Sequence, residues 1–188
     1  ALTGLAINEA DAIFAGLADF FVPLEARDAL YEDLLAHDWR GDAAADRASL
    51  TRALLSRHRR YKAGLPTANL LQYFDAIRFV AMQPGVEGIR DALAAAAAED
   101  PFFAAPAAAL AGGSPTAAKV TLEYLRRART MSLPEVLALD LVLARQYQRH
   151  PDFPEGVRAL LIDKDRKPAW CPATLDEVGD ALVSGHFA

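Results

Sequence analysis

Apolar residues recur at intervals of three and four along most of this 188-residue chain, the spacing that gathers one face of an α-helix. The pattern predicts helices over 8–15, 24–36, 46–62, 67–82, from the Pro84-Gly85 turn to about 99, 101–111, 115–129, 132–149, 152–162 and 174–184. In 24–36, for instance, Leu24, Leu30, Leu34 and Leu35 alternate with Glu25, Arg27, Asp28, Glu32 and Asp33 at helical spacing. The segment "ADFFV", 18–22, is a strand candidate, brief and closed by Pro23. With no strand–helix alternation and no internal repeat, the expected fold is mainly α. It holds at most one or two short strands near 18–22.

Helix starts are legible from capping chemistry. Ser132-Leu-Pro-Glu135, Asp152-Phe-Pro-Glu155 and Thr174-Leu-Asp-Glu177 have the spacing of a capping box. There the first side chain accepts from a backbone N–H three residues on, and the acid reaches back to the cap. Ser114 before Pro115 and Asn8 before Glu9 are further N-caps. Two helices are apolar nearly all round: Leu133, Val136, Leu137, Leu139, Leu141, Val142, Leu143 and Tyr147 in one, and Leu70 to Met82 in the other. Such helices need cover on two sides. The chain also opens its apolar pattern at Ala1-Leu2 with no polar lead-in, which reads as a sequence joined in mid-domain. A contiguous apolar surface on the chain, or its burial by self-association, is the expected consequence.

Composition narrows the function classes. A net charge of −5 argues against nucleic acid or an anionic membrane as the main partner. The uncharged run at 92–98 is far too short to span a bilayer. One cysteine, Cys171, excludes an intrachain disulfide and fits a reducing, cytoplasmic setting. Four scattered histidines offer no zinc spacing, so no metal is expected.

Chemistry-bearing motifs are missing from the sequence. There is no phosphate-binding Gly-rich loop, nucleophile elbow or Cys-x-x-Cys pair. The loop "DKDRKP", 163–168, lacks the ligand and turn glycine that calcium needs. The basic run "RHRRYK", 57–62, has the composition to meet a phosphate, but it suits a helix C-terminus equally well. Asp140, set among leucines and valines, is a general acid–base candidate if unpaired. An ion pair to Arg158 is the structural alternative and the reading preferred here. Trp170, between Pro168 and Pro172, reads as a loop anchor, and Cys171 has no neighbour to activate it. No catalytic, cofactor-binding or metal-binding residue is assigned.

The order "SPTAAKVTLEYLRRA" then "SLPEVLALDLVLARQYQRHPDFPEGVRALLIDKDRKPAWCPATLDEV" resembles the C-terminal part of 3-hydroxyisobutyryl-CoA hydrolases. They are a branch of the enoyl-CoA hydratase/isomerase (crotonase) family. "DFPEGVRALLIDKDRKPAWCP", 152–172, is the most specific stretch, and the D-K-D and P-x-W-x-P elements point to the hydrolase branch. The resemblance implies that 1–38 is the tail of a crotonase-like core, 39–45 a linker and 46–188 a helical C-terminal region. It implies hydrolysis of an acyl-CoA thioester in valine breakdown, with coenzyme A as part of the substrate and no separate cofactor. The family's oxyanion hole and acidic catalytic groups belong to an N-terminal half that no residue here matches, so this chain alone is expected to be inactive. Two alternatives remain at this stage: a hydratase or isomerase of the same family, and a non-catalytic helical interaction module.

Overall fold

A computed structural model describes residues 2–188, almost entirely as helices and turns. They form two compact units: residues 6–77, and residues 78–188 together with 2–5.

In the 6–77 unit, polar side chains stitch short elements together. Helix α1 (Glu9–Phe14) opens on a capping box, with Asn8 Oδ1 accepting from Asp11 N at 2.8 Å. Asp11 is buried, and its Oδ1 accepts from Leu70 N at 2.7 Å, while Asn8 Nδ2 donates to the Thr67 carbonyl at 2.8 Å. These bonds tie α1 to the start of α4 (Asn69–Gln72). A 3-10 turn at Leu24–Ala26 leads into α2 (Arg27–Ala36). Helix α3 (Ala43–Tyr61) is capped by Asp42, whose Oδ1 accepts from Ala45 N. Asp46 in turn accepts from Arg40 N and Gly41 N, closing a turn in which Gly41 takes φ +74. The pattern over 67–82 predicts one helix; the structure breaks it at Tyr73 (φ −101, ψ 18) into α4 and α5 (Phe74–Ala81).

Residues 18–22 form no strand among the described residues; the chain there is irregular, with a bend at Asp19. The Phe21 N–H instead donates to His58 Nδ1 at 3.1 Å, so a side chain takes the donor that a ladder would have used. The units divide between 77 and 78 rather than at the expected 39–45 linker, part of which is already the first turn of α3. The Thr67 and Leu70 bonds to α1 explain why the 6–77 unit extends so far.

The 78–188 unit carries the apolar core. Gly85, at φ +68, turns the chain into α6 (Gly85–Glu99), which buries Val86, Ile89 and Leu93 along one face. Phe103 and then Leu110 of α7 (Ala104–Gly112) join that core, as does Val120 of α8 (Pro115–Ala128). Each such side chain contributes about 1.5–3 kcal/mol on burial. Helix α9 (Leu133–Arg149) buries Leu143, yet leaves Leu133, Leu137 and Leu141 exposed at 70%, 59% and 54%. Their i, i+4, i+8 spacing makes one apolar stripe, so this helix has cover on one side of the two its sequence asks for. Helix α10 (Asp152–Val157) continues into a π-helical turn at Arg158–Ile162, and α11 (Asp180–Gly185) packs against α8. Among the described residues, no helix is long and apolar enough to cross a membrane.

Candidate functional site

The stretch 152–172 folds into a seam closing one side of an apolar groove, and each of its distinctive residues has a mechanical task. Asp152 is buried at the first turn of α10, where its carboxylate accepts from the Ser114 hydroxyl in a short hydrogen bond and from Cys171 N at 2.8 Å. One carboxylate therefore joins the start of α8, the start of α10 and the loop beyond residue 168. Glu155 accepts from Ala169 N at 2.7 Å and from Arg158 in a two-pronged ion pair. The Arg158 guanidinium hydrogen-bonded to it, helped by the Ala169 N–H, holds the Glu155 carboxyl down at about 2. Gly156 leaves room for Trp170, whose ring would stand 3.4 Å from a Cβ placed there. The Trp170 indole N–H donates to the Gly112 carbonyl at 2.9 Å. Trp170 is thus the anchor that its prolines suggested.

Arg158 is the hub of the loop. It also bonds Asp163 at 2.5 Å, Asp165 at 2.8 Å and the Lys167 carbonyl at 3.1 Å. The D-K-D element is therefore an arginine clasp. Two aspartates two positions apart, both turned to one guanidinium, set Lys164 and Arg166 in left-handed backbone (φ 57 and 56). The same clasp ends the helix in a π turn, with Asp163 N donating to Arg158 O at 2.8 Å, and leaves Leu160, Leu161 and Ile162 exposed.

The groove has a volume of about 950 Å³. Ala109, Ala117, Phe153, Val157, Leu160 and Trp170 make much of its wall, with Ser114, Tyr147, Asp152 and Arg166 among its polar members. Burial, with the negative charge of Asp152 adding to it, pushes the Tyr147 phenol up to about 12. That phenol stays protonated at any physiological pH. The groove has the shape and lining to cover an apolar surface, and among the described residues no group of three metal-ligating side chains meets anywhere. Its hydroxyl–carboxylate pair, Ser114 with Asp152, is taken up by structural bonds, Ser114 Oγ accepting from Ala117 N and Asp152 Oδ1 from Cys171 N.

A model of the enoyl-CoA hydratase/isomerase family matches residues 1–187. The chain belongs to the enoyl-CoA hydratase/isomerase family. It is 34% identical over its whole length to the mitochondrial 3-hydroxyisobutyryl-CoA hydrolase of Gallus gallus and 33% identical to that of Homo sapiens. In each case it covers 47% of the relative, so the chain spans about half the length of the curated relatives it matches. Among solved structures, a carnitinyl-CoA dehydratase from Mycobacterium thermoresistibile superposes with a TM-score of 0.83 at 31% identity. An enoyl-CoA hydratase from Rhodobacter sphaeroides 2.4.1 gives 0.75 at 30%. Both matches take in all of this chain and 49% of the other.

Against this family background, the remaining sequence candidates resolve as structural. Asp140 is solvent-exposed and accepts from the Tyr124 hydroxyl at 2.6 Å, while Arg158 makes its ion pairs with Glu155, Asp163 and Asp165. The expected Asp140–Arg158 pair is therefore absent among the described residues. Leu137 and Leu141, on either side of Asp140, belong to the exposed stripe of α9, and the carboxylate itself lies in solvent. In the basic run, Arg57 pairs with Asp33, His58 holds Phe21 N, and Arg60 lies over the Tyr61 ring at 5.5 Å. Cys171 is exposed and free. The sequence reading missed the Ser114–Asp152 bond between α8 and α10 and the packing of His186 on Tyr147 and His150, because each of these contacts spans 36 or more positions. No local motif signals such pairings.

Proposed function

We propose that this chain is the C-terminal helical part of an acyl-CoA thioester hydrolase acting on 3-hydroxyisobutyryl-CoA, and that it carries no catalytic group of its own. The observation that carries this reading is the 152–172 seam. Asp152, Glu155, Gly156, Arg158 and Trp170 are all spent on closing the fold, and the whole chain matches hydrolases about twice its length. A thioester hydrolase needs donors aimed at the developing oxyanion; on the groove wall, the Ser114 hydroxyl is given to Asp152 and the Trp170 indole N–H to the Gly112 carbonyl. The stripe Leu133, Leu137 and Leu141, with Leu160 to Ile162, then serves as the face laid against the catalytic half. A cytoplasmic setting remains our reading; the relatives carry the word mitochondrial in their names.

The test is turnover of 3-hydroxyisobutyryl-CoA, followed as release of the free thiol. The 188-residue chain should give none, whereas a gene product of the relatives' full length should hydrolyse the thioester. Turnover by the short chain alone contradicts the reading. A hydratase reading draws support from the two structural matches, one a dehydratase and one a hydratase. Hydration of an enoyl-CoA by the long form, without thiol release, would establish it instead.

A further inference from the structure

Beside the groove, the chain from α11 onward is fastened to α9 by a set of contacts that the proposed function does not use. His186 is buried, with its ring 5.1 Å from that of Tyr147 and 5.2 Å from that of His150. Phe187 lies under the Arg127 guanidinium of α8 at 4.0 Å, and Gln146 Nε2 donates to the Ala188 carbonyl at 2.8 Å. We propose that His150 and His186 form an acid-released latch, holding residues 186–188 on α9 near neutrality and freeing them when the imidazoles take up protons.

Hydrogen bonding orients both rings. His186 Nδ1 is 2.9 Å from the Leu182 carbonyl, which can only accept, so Nδ1 carries a proton. Its Nε2 is fully buried and has no hydrogen-bond partner. His150 is the mirror case: its Nδ1 accepts from Asp152 N at 3.3 Å and must keep its lone pair there. A proton on His186 Nε2 creates a buried N–H with nothing to receive it. A proton on His150 Nδ1 turns an acceptor into a donor facing another donor. Two imidazolium rings 5.2 Å apart also repel.

The groups facing the pair come from three elements. Tyr147 lies on α9 and stays neutral, Arg127 on α8 lies next to Phe187 and is paired with Glu123 at 2.8 Å, and Asp152 on α10 is the acid nearest His150 among the described residues. Asp152 Oδ2 stands 3.9 Å from His150 Nδ1, and its carboxylate already accepts from Ser114 and Cys171 N. Its negative charge favours a charged His150 and so works against the release. Burial holds His150 below the ordinary imidazole range, with Asp152 opposing and His186 reinforcing that effect. The latched form therefore binds protons less well than the open one. Its stability is present above about pH 6.5 and lost as pH falls below that value.

Hydrogen exchange on the 188-residue chain at about pH 7.5 and about pH 5, corrected for intrinsic rates, reads the latch directly. Amides of 182–188 should lose about tenfold of their protection at the acid pH, while those of α6 keep theirs. His186→Phe keeps a ring without a titrating nitrogen. His150→Asn keeps an acceptor for Asp152 N. Either variant should hold its 182–188 protection within about twofold between the two pH values. Equal protection of the wild-type segment at both pH values, or the same acid loss in both variants, overturns the latch; loss in α6 to the same extent as in 182–188 overturns it as well.

Discussion

Residues 6–77 and residues 78–188 spend similar apolar compositions in opposite ways. Among the described residues of the first unit, Ala26 is the one buried apolar side chain, while Leu17 and Leu35 stand 75% and 86% exposed. The second buries Val86, Ile89, Leu93, Phe103, Leu110, Val120, Leu143 and Val178. What organises the first is a set of carboxylates: Asp11 on Leu70 N, Asp46 on the Gly41 turn, Asp33 on Arg57. Polar stitches fix geometry, but each gives only about 0.5–1.5 kcal/mol net. Apolar burial adds several times as much over one helix face. The contrast says that the two units will respond to different mutations.

The largest effect should come from the core. Phe103→Ala removes a buried ring and should cost about 3–5 kcal/mol in urea or thermal unfolding of 78–188. Leu35→Ala, an equally drastic change on paper, should stay within about 0.5 kcal/mol because the side chain is already in water. A comparable loss from both would erase the distinction between the units.

Next in size is Asp11→Ala. It leaves Leu70 N without an acceptor and removes the α1 capping box. The expected cost of about 2–3 kcal/mol, from a buried unpaired donor plus a lost cap, should fall on one unit only. Limited proteolysis should open 6–77 while 78–188 remains protected. Simultaneous loss of both would mean that the 6–77 unit has no separate stability to lose.

The sequence displays helices well where a single residue type marks the boundary. Asn8, Ser114 and Ser132 all start helices as expected, and the Pro84-Gly85 turn lies where it should. Asp152-x-x-Glu155 looks like a cap and is none: Asp152 is already inside the helix, and both acids reach across the seam to Cys171 N and Ala169 N. Thr174 and Glu177 do form a capping box, but around a 3-10 turn at Leu175–Glu177, and α11 begins only at Asp180. Likewise the groove was invisible in the sequence, since its wall joins residues from 109 to 170 and depends on which helix face Trp170 meets. Periodicity reports which residues want burial; it does not report against what.

A smaller, pH-dependent effect belongs to the Arg158 clasp. Because the folded Glu155 carboxyl sits at about 2, below its usual value of about 4.3, the clasp contributes fully above that usual value. Its contribution is lost as pH falls toward about 2. Trp170 emission, read in a Trp39→Phe background, should report loop 163–170 loosening across that window. Arg158→Met should show the loosened emission already at neutral pH, leaving the acid window flat. An unchanged acid transition in Arg158→Met would assign the seam's order to burial of Trp170 alone.

The smallest expected effect separates chemistry from scaffolding at Asp140. Its carboxylate is in water and accepts from the Tyr124 hydroxyl at 2.6 Å, and that hydrogen bond, ahead of burial, raises the Tyr124 phenol above its usual range. A carboxylate acceptor favours the protonated phenol, since ionising it would remove the donor and set two negative charges together. Asp140→Asn keeps an acceptor but removes the charge. Stability should change by no more than about 0.5 kcal/mol, while the Tyr124 titration, followed by ultraviolet difference absorbance against a Tyr124→Phe blank, moves down toward the ordinary phenol value. On the proposed function, the same substitution in a protein of the relatives' full length should leave thioester hydrolysis intact. A general acid or base at this position would instead lose about a hundredfold or more. Such a loss would move the chemistry into the C-terminal helices and remove the ground for treating 78–188 as wall rather than machinery.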